Sequence, residues 1–197
     1  MPLHVAIAPI LWMAGLHESE AVVPARLDFA FVAAAAKVQP EQDWKLRPIP
    51  GARMSADLPV EPERATVALR ESTRKQVEGS QSGRLTFQGV VFRFAFIEYS
   101  GETQVDLDRA IHGALANLKG TKGITELKSK TRELKVSGVP ATWLETTYQY
   151  MGSPVSFWLL VAGEGERLWQ VSAMFRTADS KQESLARRVL ESVRLEK

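Results

Sequence analysis

The stretch LKSKTRELKVSGVPATWLETTYQYMGSPVSFWLLVAGEGERLWQVSAMF, which runs from Leu127 to Phe175, decides the fold. Apolar and polar residues alternate along it, and this pattern is typical of strands that bury one face. Turn residues interrupt the alternation at 137–138, 152–154 and 163–165, and short turns of this kind join antiparallel neighbours. The stretch therefore predicts an antiparallel meander of four strands: Leu127 to Val136, Ala141 to Met151, Val155 to Ala162 and Arg167 to Phe175.

The region upstream of the meander predicts further strands. Thr73 to Gly79 and Arg84 to Tyr99 are predicted to form a hairpin across Ser80 to Gly83. The longer arm carries apolar residues on both faces, so we expect it inside the sheet and covered on both sides. Before it, four prolines between residues 44 and 63 exclude a helix interior, and Met54 to Pro59 is predicted to be a short edge strand.

Two segments show the apolar spacing of amphipathic helices. Asp106 is a good N-cap, and the apolar stripe after it predicts a helix over 106–119. The run Ser180-Lys-Gln-Glu183 is a capping box, and it predicts a helix over 180–193. The sequence thus predicts an α+β fold in which two helices flank an antiparallel sheet of about five to seven strands.

Composition indicates a globular chain with one domain. Of its 197 residues 45% are apolar and 24% charged, and we expect a single domain over 44–197 after an N-terminal extension or leader over 1–43. The extension should make few contacts with the core. Its apolar runs, Val5 to Leu16 and Leu27 to Ala36, are shorter than the roughly 20 residues of a membrane-spanning helix, so no transmembrane segment is expected.

The second of these runs bears on location. Leu27 to Ala36 follows a basic residue and ends in small residues, which is the outline of a secretory signal, but Asp28 interrupts it. A loosely docked extension is the alternative. We expect a bacterial cell-envelope or secreted protein, and the cytoplasm is not excluded.

Charge and residue usage exclude several functions. The 25 basic and 23 acidic residues nearly balance, so nucleic acid is not an expected partner. Without cysteine the chain has no disulfide, no thiolate nucleophile and no cysteine-ligated metal. His4, His17 and His112 show no metal-binding spacing, and hydrolase and phosphate-loop motifs are absent. We therefore predict no catalytic residue, no metal and no cofactor.

The order of the elements and their turn residues resembles the PsbP-like α/β/α sandwich family over about residues 44–197. The resemblance is carried by Gly138 to Ala141 in the turn SGVPA, by the glycine turn 163–165 before Leu168-Trp169, and by Leu190 to Val193 near the end. It implies a bacterial member of a family dominated by binding and assembly proteins, among them bacterial envelope lipoproteins. The chain lacks the cysteine that would carry the lipid of such lipoproteins.

Two groups of residues are candidates for binding an unknown protein or a small anionic partner. Lys128, Lys130 and Arg132 alternate and should share one strand face, where they could meet an anionic surface. The alternative is a solvated edge strand that lysines protect from aggregation. The second group consists of three aromatic residues of the meander: Trp143, Tyr148 and Trp158. These residues lie on both strand faces, and any ring left exposed would mark a partner site.

A carboxylate pair is the basis of an enzymatic alternative. Glu98 and Glu145 each lie inside an aromatic strand, and a semi-buried pair can do acid–base work with the nearby tyrosines. The competing interpretation pairs Glu145 with Arg93 or with a lysine across the sheet. The sequence therefore favours a non-catalytic binding or assembly module over an enzyme.

Overall fold

The computed structural model describes residues 43–66, 76–101 and 104–196. The predictions for the N-terminal extension and for the strand start at Thr73 lie outside the described residues. Along the chain the elements are β1 (Lys45–Pro48), β2 (Met54–Leu58), β3 (Glu63–Ala65), β4 (Val77–Phe87), β5 (Val90–Tyr99), α1 (Leu107–Gly120), β6 (Ile124–Val136), β7 (Val139–Tyr150), β8 (Ser153–Glu164), β9 (Arg167–Arg176), α2 (Ser180–Glu191) and β10 (Arg194–Leu195).

The main sheet is antiparallel and, within the described ranges, has seven strands in the order β3-β4-β5-β9-β8-β7-β6. The meander strands β6 to β9 lie side by side in chain order, as the alternation predicted. Strand β5 pairs with β4 and β9, and Phe94 and Ala95 on its opposite faces are both fully buried, so the interior strand is confirmed. The α+β class with an antiparallel sheet and two helices is confirmed as well.

The hairpin turn between β4 and β5 differs from the prediction. Gln88 and Gly89 have φ of +46° and +81°, and positive φ at both central residues is the type I′ turn, whose twist matches antiparallel strands. The same conformation recurs at 137–138 and 151–152. The predicted turn at 80–83 was wrong, since these residues lie within β4; the glycine that takes the left-handed conformation without steric cost is further along the chain.

Both predicted helices are confirmed, and one cap differs. The Asp106 carboxylate accepts a hydrogen bond from the Arg109 backbone N–H at 2.9 Å, as predicted. In α2 the cap is Asp179 and not Ser180, because the Asp179 carboxylate accepts from the N–H groups of Lys181 and Gln182 at 3.0 and 3.1 Å. A charged acceptor makes the stronger hydrogen bonds and suits the positive end of the helix dipole.

A second, three-stranded sheet in the order β1-β2-β10 was not predicted. Strand β2 is its middle strand and not an edge, since β1 and β10 both pair with it. This sheet could not be predicted from alternation, because β10 has only two residues, Arg194 and Leu195, too few for a strand pattern.

The two faces of the main sheet are covered unequally. On the α2 face, helix α2 and the small sheet enclose a core that includes Phe92, Phe94 and Trp169. On the α1 face, helix α1 packs mainly on β6, β7 and β8, where Ile111 contacts the core at one end and Leu118 at the other. The α1 face of β4 and of the first half of β5 therefore lies beside this helix and not beneath it.

Candidate functional site

The predicted basic residues lie on the edge strand of the main sheet. The register pairs Lys128 with Thr147, Lys130 with Glu145 and Arg132 with Trp143, so the three cations share the α2-face side of β6. All three are exposed. Their common face is confirmed, and their role in partner binding stays a prediction. The three are called the basic stripe below.

Two members of the basic stripe have internal partners. The Lys130 ammonium lies 3.6 Å from the Glu145 carboxylate, and the Arg132 guanidinium lies 3.9 Å from that of Glu191. The Arg132 guanidinium also stacks over the Trp143 ring at 4.5 Å. Among the described residues no carboxylate lies within ion-pair distance of Lys128. The stripe is thus less positive than its sequence suggests, because two carboxylates lie beside three cations.

The aromatic candidates are buried. Trp143, Tyr148 and Trp158 expose 5% of their surface or less. Trp143 and Tyr148 belong to the cores of opposite faces, as their parity predicted. On the α2 face a partner would therefore meet the arginine that covers each tryptophan before it meets the ring: Arg132 lies over Trp143, and the Arg187 guanidinium lies 4.8 Å from the Trp158 centroid. A direct contact of the three rings with a partner stays a prediction.

Two buried polar atoms of the aromatic residues have no hydrogen-bond partner among the described residues: the Trp143 Nε1 and the Tyr99 hydroxyl. The Tyr148 hydroxyl has only a weak acceptor, the Met174 sulfur at 3.8 Å. Burial raises the pKa of Tyr99 to about 12, and burial together with Tyr150 raises the pKa of Tyr148 to about 12. Both tyrosines therefore stay neutral at ordinary pH and are poor candidates for a general base.

The carboxylates of Glu98 and Glu145 do not form a pair. Glu98 on β5 pairs with Arg167 on β9. Glu145 on β7 pairs with Trp158 on β8, which in turn pairs with Ala173 on β9, six residues after Arg167. Three strand spacings and six residue rises put the two side chains more than about 20 Å apart. A shared acid–base site needs a separation of roughly 10 Å or less. The predicted carboxylate site was therefore wrong.

Each of these glutamates has a partner of its own. Glu98 lies 3.5 Å from Arg53 and 3.4 Å from Arg167, and Glu145 pairs with Lys130, the cross-strand lysine that the competing interpretation named. Arg93, its other suggested partner, lies on the opposite face of the sheet. Sequence alone missed Arg53, because its approach depends on the small sheet that no pattern predicted.

The remaining candidates carry no visible chemistry. His112 is exposed on α1, and its Nδ1 lies 2.8 Å from the carbonyl oxygen of Asp108 in its own helix. His4 and His17 lie outside the described residues. Within the described residues no group of three or more His, Cys, Asp or Glu side chains could hold a metal ion. Neither described helix is long and apolar enough to cross a membrane.

Sequence reasoning missed one group of residues altogether. Arg84 and Arg93 are directly opposite each other on the α1 face of β4 and β5. Their sequence positions could have placed them together only if Gln88-Gly89 had been recognised as the turn, because this turn fixes the register of the hairpin.

Comparisons with known proteins give remote likenesses only. No family model and no curated protein matches the chain. Among solved structures it is similar to LpqN, involved in cell envelope biogenesis of Mycobacterium tuberculosis, with 14% identity, a TM-score of 0.43, and coverage of 75% of this chain and 86% of that one. It is also similar to the immunity protein TplEi of the Pseudomonas aeruginosa T6SS, with 16% identity, a TM-score of 0.43, and coverage of 73% and 54%. A third is PA94 of Pseudomonas aeruginosa, a protein of unknown function and putative regulator, with 12% identity, a TM-score of 0.40, and coverage of 64% and 90%.

Proposed function

We propose that the chain is a non-catalytic binding module of the PsbP-like class that takes up a protein partner along the outer edge of β6. The observation that carries the proposal is the position of this strand. It has 13 residues and ends the described sheet, where it pairs with β7 alone. The outer side of an edge strand presents backbone N–H and C=O groups that a further strand can bind.

The basic stripe indicates which segment would bind. In strand addition the backbone hydrogen bonds supply affinity, and alternate side chains supply specificity. A partner strand with carboxylates at alternate positions would bring them beside Lys128, Lys130 and Arg132. The partner we propose is therefore an extended acidic segment of another protein.

A second copy of this chain is a poor occupant of the edge. If two β6 strands paired antiparallel, the shared parity of the basic stripe would set lysines and Arg132 against their counterparts on one face. Like charges directly opposite each other destabilise a strand pair. The stripe thus disfavours self-association and favours an acidic partner.

The internal ion pairs do not prevent this binding. Lys130 and Arg132 have half-exposed or exposed side chains, and pairs of this kind contribute only about 0 to 1 kcal/mol. A carboxylate of the partner can replace Glu145 or Glu191 at little cost. The stacking of Arg132 on Trp143 holds the guanidinium in place beforehand, and such preorganisation lowers the entropy lost on binding.

Membership of the PsbP-like family and a location in the bacterial envelope or outside the cell belong to the same proposal. The turn residues 138–141 support the first, and the signal-like run Leu27 to Ala36 supports the second. Fractionation of cells that produce the full chain tests the location. Recovery from the cytoplasm alone would contradict the location and leave the binding proposal standing.

The binding proposal is tested by charge reversal of the whole stripe in the variant Lys128→Glu, Lys130→Glu, Arg132→Glu. The control variant has the same change in net charge but alters exposed cations away from β6: Lys45→Glu, Arg64→Glu and Lys181→Glu. Partner capture is measured for both variants and the wild type in extracts of the source organism, with crosslinks mapped by mass spectrometry.

We expect the stripe variant to lose a partner that the control retains, with crosslinks concentrated on β6. Capture by the wild type should fall steeply when salt rises above about 0.15 M, where exposed charges are screened within about 8 Å. Equal capture by the stripe variant and the wild type would reduce the stripe to a solvated protective edge.

A further inference from the structure

The backbone of β6 turns its hydrogen-bonding groups alternately toward β7 and toward the open edge. Ser137 and Gly138 form a type I′ turn with φ of +51° and +81°, and Val136 and Val139 flank this turn as register partners. Residues that flank such a turn exchange backbone hydrogen bonds, so the backbone groups of Val136 point toward β7. By alternation, the residues whose backbone groups point to the open edge are Ser129, Thr131, Glu133 and Lys135.

Pro140 supports this assignment. It is the register partner of Lys135, and by the same alternation this pair exchanges no hydrogen bonds. Proline has no backbone N–H to donate, so it fits a position of β7 that β6 does not use. The described pairing of β7 with β8 starts one residue later, at Ala141, so the missing donor interrupts neither ladder.

A β-bulge limits the regular part of this edge. Tyr148 alone lies opposite both Glu126 and Leu127, where the register of β6 and β7 shifts. Glu126 has a left-handed φ of +54°. A bulge bends its strand and interrupts pairing, so a partner strand cannot continue past it. The stretch that is open to regular pairing is therefore 128–136, between the bulge and the turn.

The basic stripe lies at positions whose backbone groups point toward β7. Opposite an added antiparallel strand, these residues form the pairs without hydrogen bonds, in which Cα atoms are about 4.5 Å apart and not about 5.5 Å. Side chains come closest in such pairs, so carboxylates opposite Lys128, Lys130 and Arg132 would have the shorter approach. Leu134 continues the same face and packs against the α2-face core. The partner residue opposite Leu134 should therefore be apolar.

The other side of the edge adds a further requirement. Glu133 and Lys135 lie on its α1-face side, together with Ser129 and Thr131, and all four are exposed. Opposite charges across a strand pair stabilise it, and like charges destabilise it. The partner residue opposite Glu133 should therefore be basic, and the one opposite Lys135 should be acidic. A uniformly acidic segment would not meet this requirement.

We propose that the partner segment pairs antiparallel with residues 128–135 and carries an apolar residue followed by acidic residues at the second, fourth and sixth positions after it. The apolar residue lies opposite Leu134, and the three acidic residues lie opposite the basic stripe. A basic residue directly after the apolar one lies opposite Glu133. All described neighbours in the main sheet are antiparallel, and antiparallel pairs are slightly more stable per residue. This inference rests on the proposed function and adds the direction, register and sequence pattern of the partner.

The first experiment titrates the full chain with the peptide EVKETETE, whose ends are acetylated and amidated so that they carry no charge. Its first residue would lie opposite Lys135 and its last opposite Lys128. One control is the reversed sequence. In two others the backbone nitrogen is methylated, either at the third and fifth residues, whose N–H groups should donate to β6, or at the fourth and sixth, whose N–H groups should point away.

We expect methylation of the third and fifth residues to weaken binding by about tenfold or more, because two hydrogen bonds are lost. Methylation of the fourth and sixth residues should change the dissociation constant little. Equal weakening in both methylated peptides, equally tight binding of the reversed peptide, or no binding of EVKETETE would overturn the proposed pairing.

The second experiment tests the register by a charge swap. Lys130→Glu should weaken binding of EVKETETE by about fivefold, and Lys45→Glu, away from β6, should change nothing. Lysine as the sixth residue of the peptide, which would lie opposite position 130, should restore binding to Lys130→Glu. Lysine as the fourth residue should not. Restoration by both peptides or by neither would refute the register.

The third experiment separates this inference from the proposed function. On binding of EVKETETE, amide hydrogen exchange should slow at Ser129, Thr131, Glu133 and Lys135, whose N–H groups gain acceptors. If these four amides stayed unprotected in the complex, charge alone would hold the peptide and the inference would fail. Loss of the native partner in the stripe variant would still support the proposed function in that case. Capture of the native partner that did not depend on the stripe would remove both.

Discussion

The two faces of the main sheet are built from the same strands and have opposite characters. On the α2 face five large rings contact one another, with centroid distances of 5.9 Å for Trp143 and Trp158, 5.1 Å for Trp158 and Phe175, and 5.4 Å for Phe96 and Trp169. On the α1 face, beside α1, the same strands carry polar side chains: Arg84 is exposed, Arg93 is half-buried, and Ser172 is buried. Strand parity thus lets one sheet combine a sealed core and a polar surface. Stability should depend mainly on the first.

The largest expected effect is the loss of a ring from the α2 face. Trp169 is 1% exposed, packs on Phe96 and donates from Nε1 to the Arg53 carbonyl at 3.2 Å. Trp169→Ala should lower the free energy of unfolding by about 3 to 5 kcal/mol, because it leaves a cavity and removes a hydrogen bond to the Arg53 carbonyl, which still accepts from the Glu196 N–H. Urea denaturation measures the change.

The matched change on the other face is Phe157→Ala. Its ring is half-buried, so the loss should be clearly smaller, about 1 to 2 kcal/mol from the area it removes. Equal losses of unfolding free energy in Trp169→Ala and Phe157→Ala would contradict the idea that stability depends mainly on the α2 face.

The next prediction is a loss of stability at alkaline pH that arises from the α1 face. All three tyrosines of the chain lie on the α1 face, and Tyr99 and Tyr148 have pKa values raised to about 12. The folded state therefore favours the neutral form of both side chains. Between pH 10, where unfolded tyrosine ionises, and about pH 12 the unfolded state binds fewer protons, so stability is full below pH 10 and falls as pH rises.

Each buried tyrosine should contribute about 2 to 3 kcal/mol to this alkaline loss. Denaturation of the wild type, Tyr99→Phe and Tyr148→Phe across this range measures it, and each variant should lose less stability than the wild type. At neutral pH Tyr99→Phe should be neutral or stabilising, since no described residue makes a hydrogen bond to the Tyr99 hydroxyl. Identical alkaline curves for all three proteins would show that neither hydroxyl is protected from ionisation.

These differences also show what the sequence could and could not predict. The meander, the two helices and the split of Trp143 from Tyr148 follow from alternation and spacing, which depend only on neighbours along the chain. The small sheet could not be foreseen, because Leu195 pairs with Met54, which is far away along the chain. The separation of Glu98 from Glu145 likewise depends on a strand order in which β9 lies next to β5.

A third effect concerns how α1 is seated. A Cβ at Gly163 on β8 would meet the Val105 Cγ1, with the Leu107 Cδ2 at 3.2 Å. The glycine thus permits the close approach of the segment that starts the helix. Gly163→Ala should cost about 1 to 3 kcal/mol, as overpacking usually does. Gly79→Ala is the control for glycine replacement, because the added methyl there has open space and the backbone φ is not positive.

If Gly163→Ala is destabilised because α1 is displaced, hydrogen exchange should become faster in α1 and stay unchanged in α2. Exchange that speeds up equally in both helices would mean that Gly163 supports the whole fold and not one face of it.

The smallest effect compares the caps of the two covering helices. Asp179 accepts two backbone hydrogen bonds at the start of α2, whereas Asp106 accepts one at the start of α1. N-cap replacement by alanine usually costs about 0.5 to 2 kcal/mol. We expect Asp179→Ala near the upper end of that range and Asp106→Ala near the lower, by urea denaturation at neutral pH. Asparagine at either position keeps an acceptor oxygen without the charge, so it should restore most of the loss. A larger loss for Asp106→Ala than for Asp179→Ala would contradict this ranking. It would mean that α1 depends on its N-cap more than α2 does, and that the α1 face contributes more to stability than its polar surface indicates.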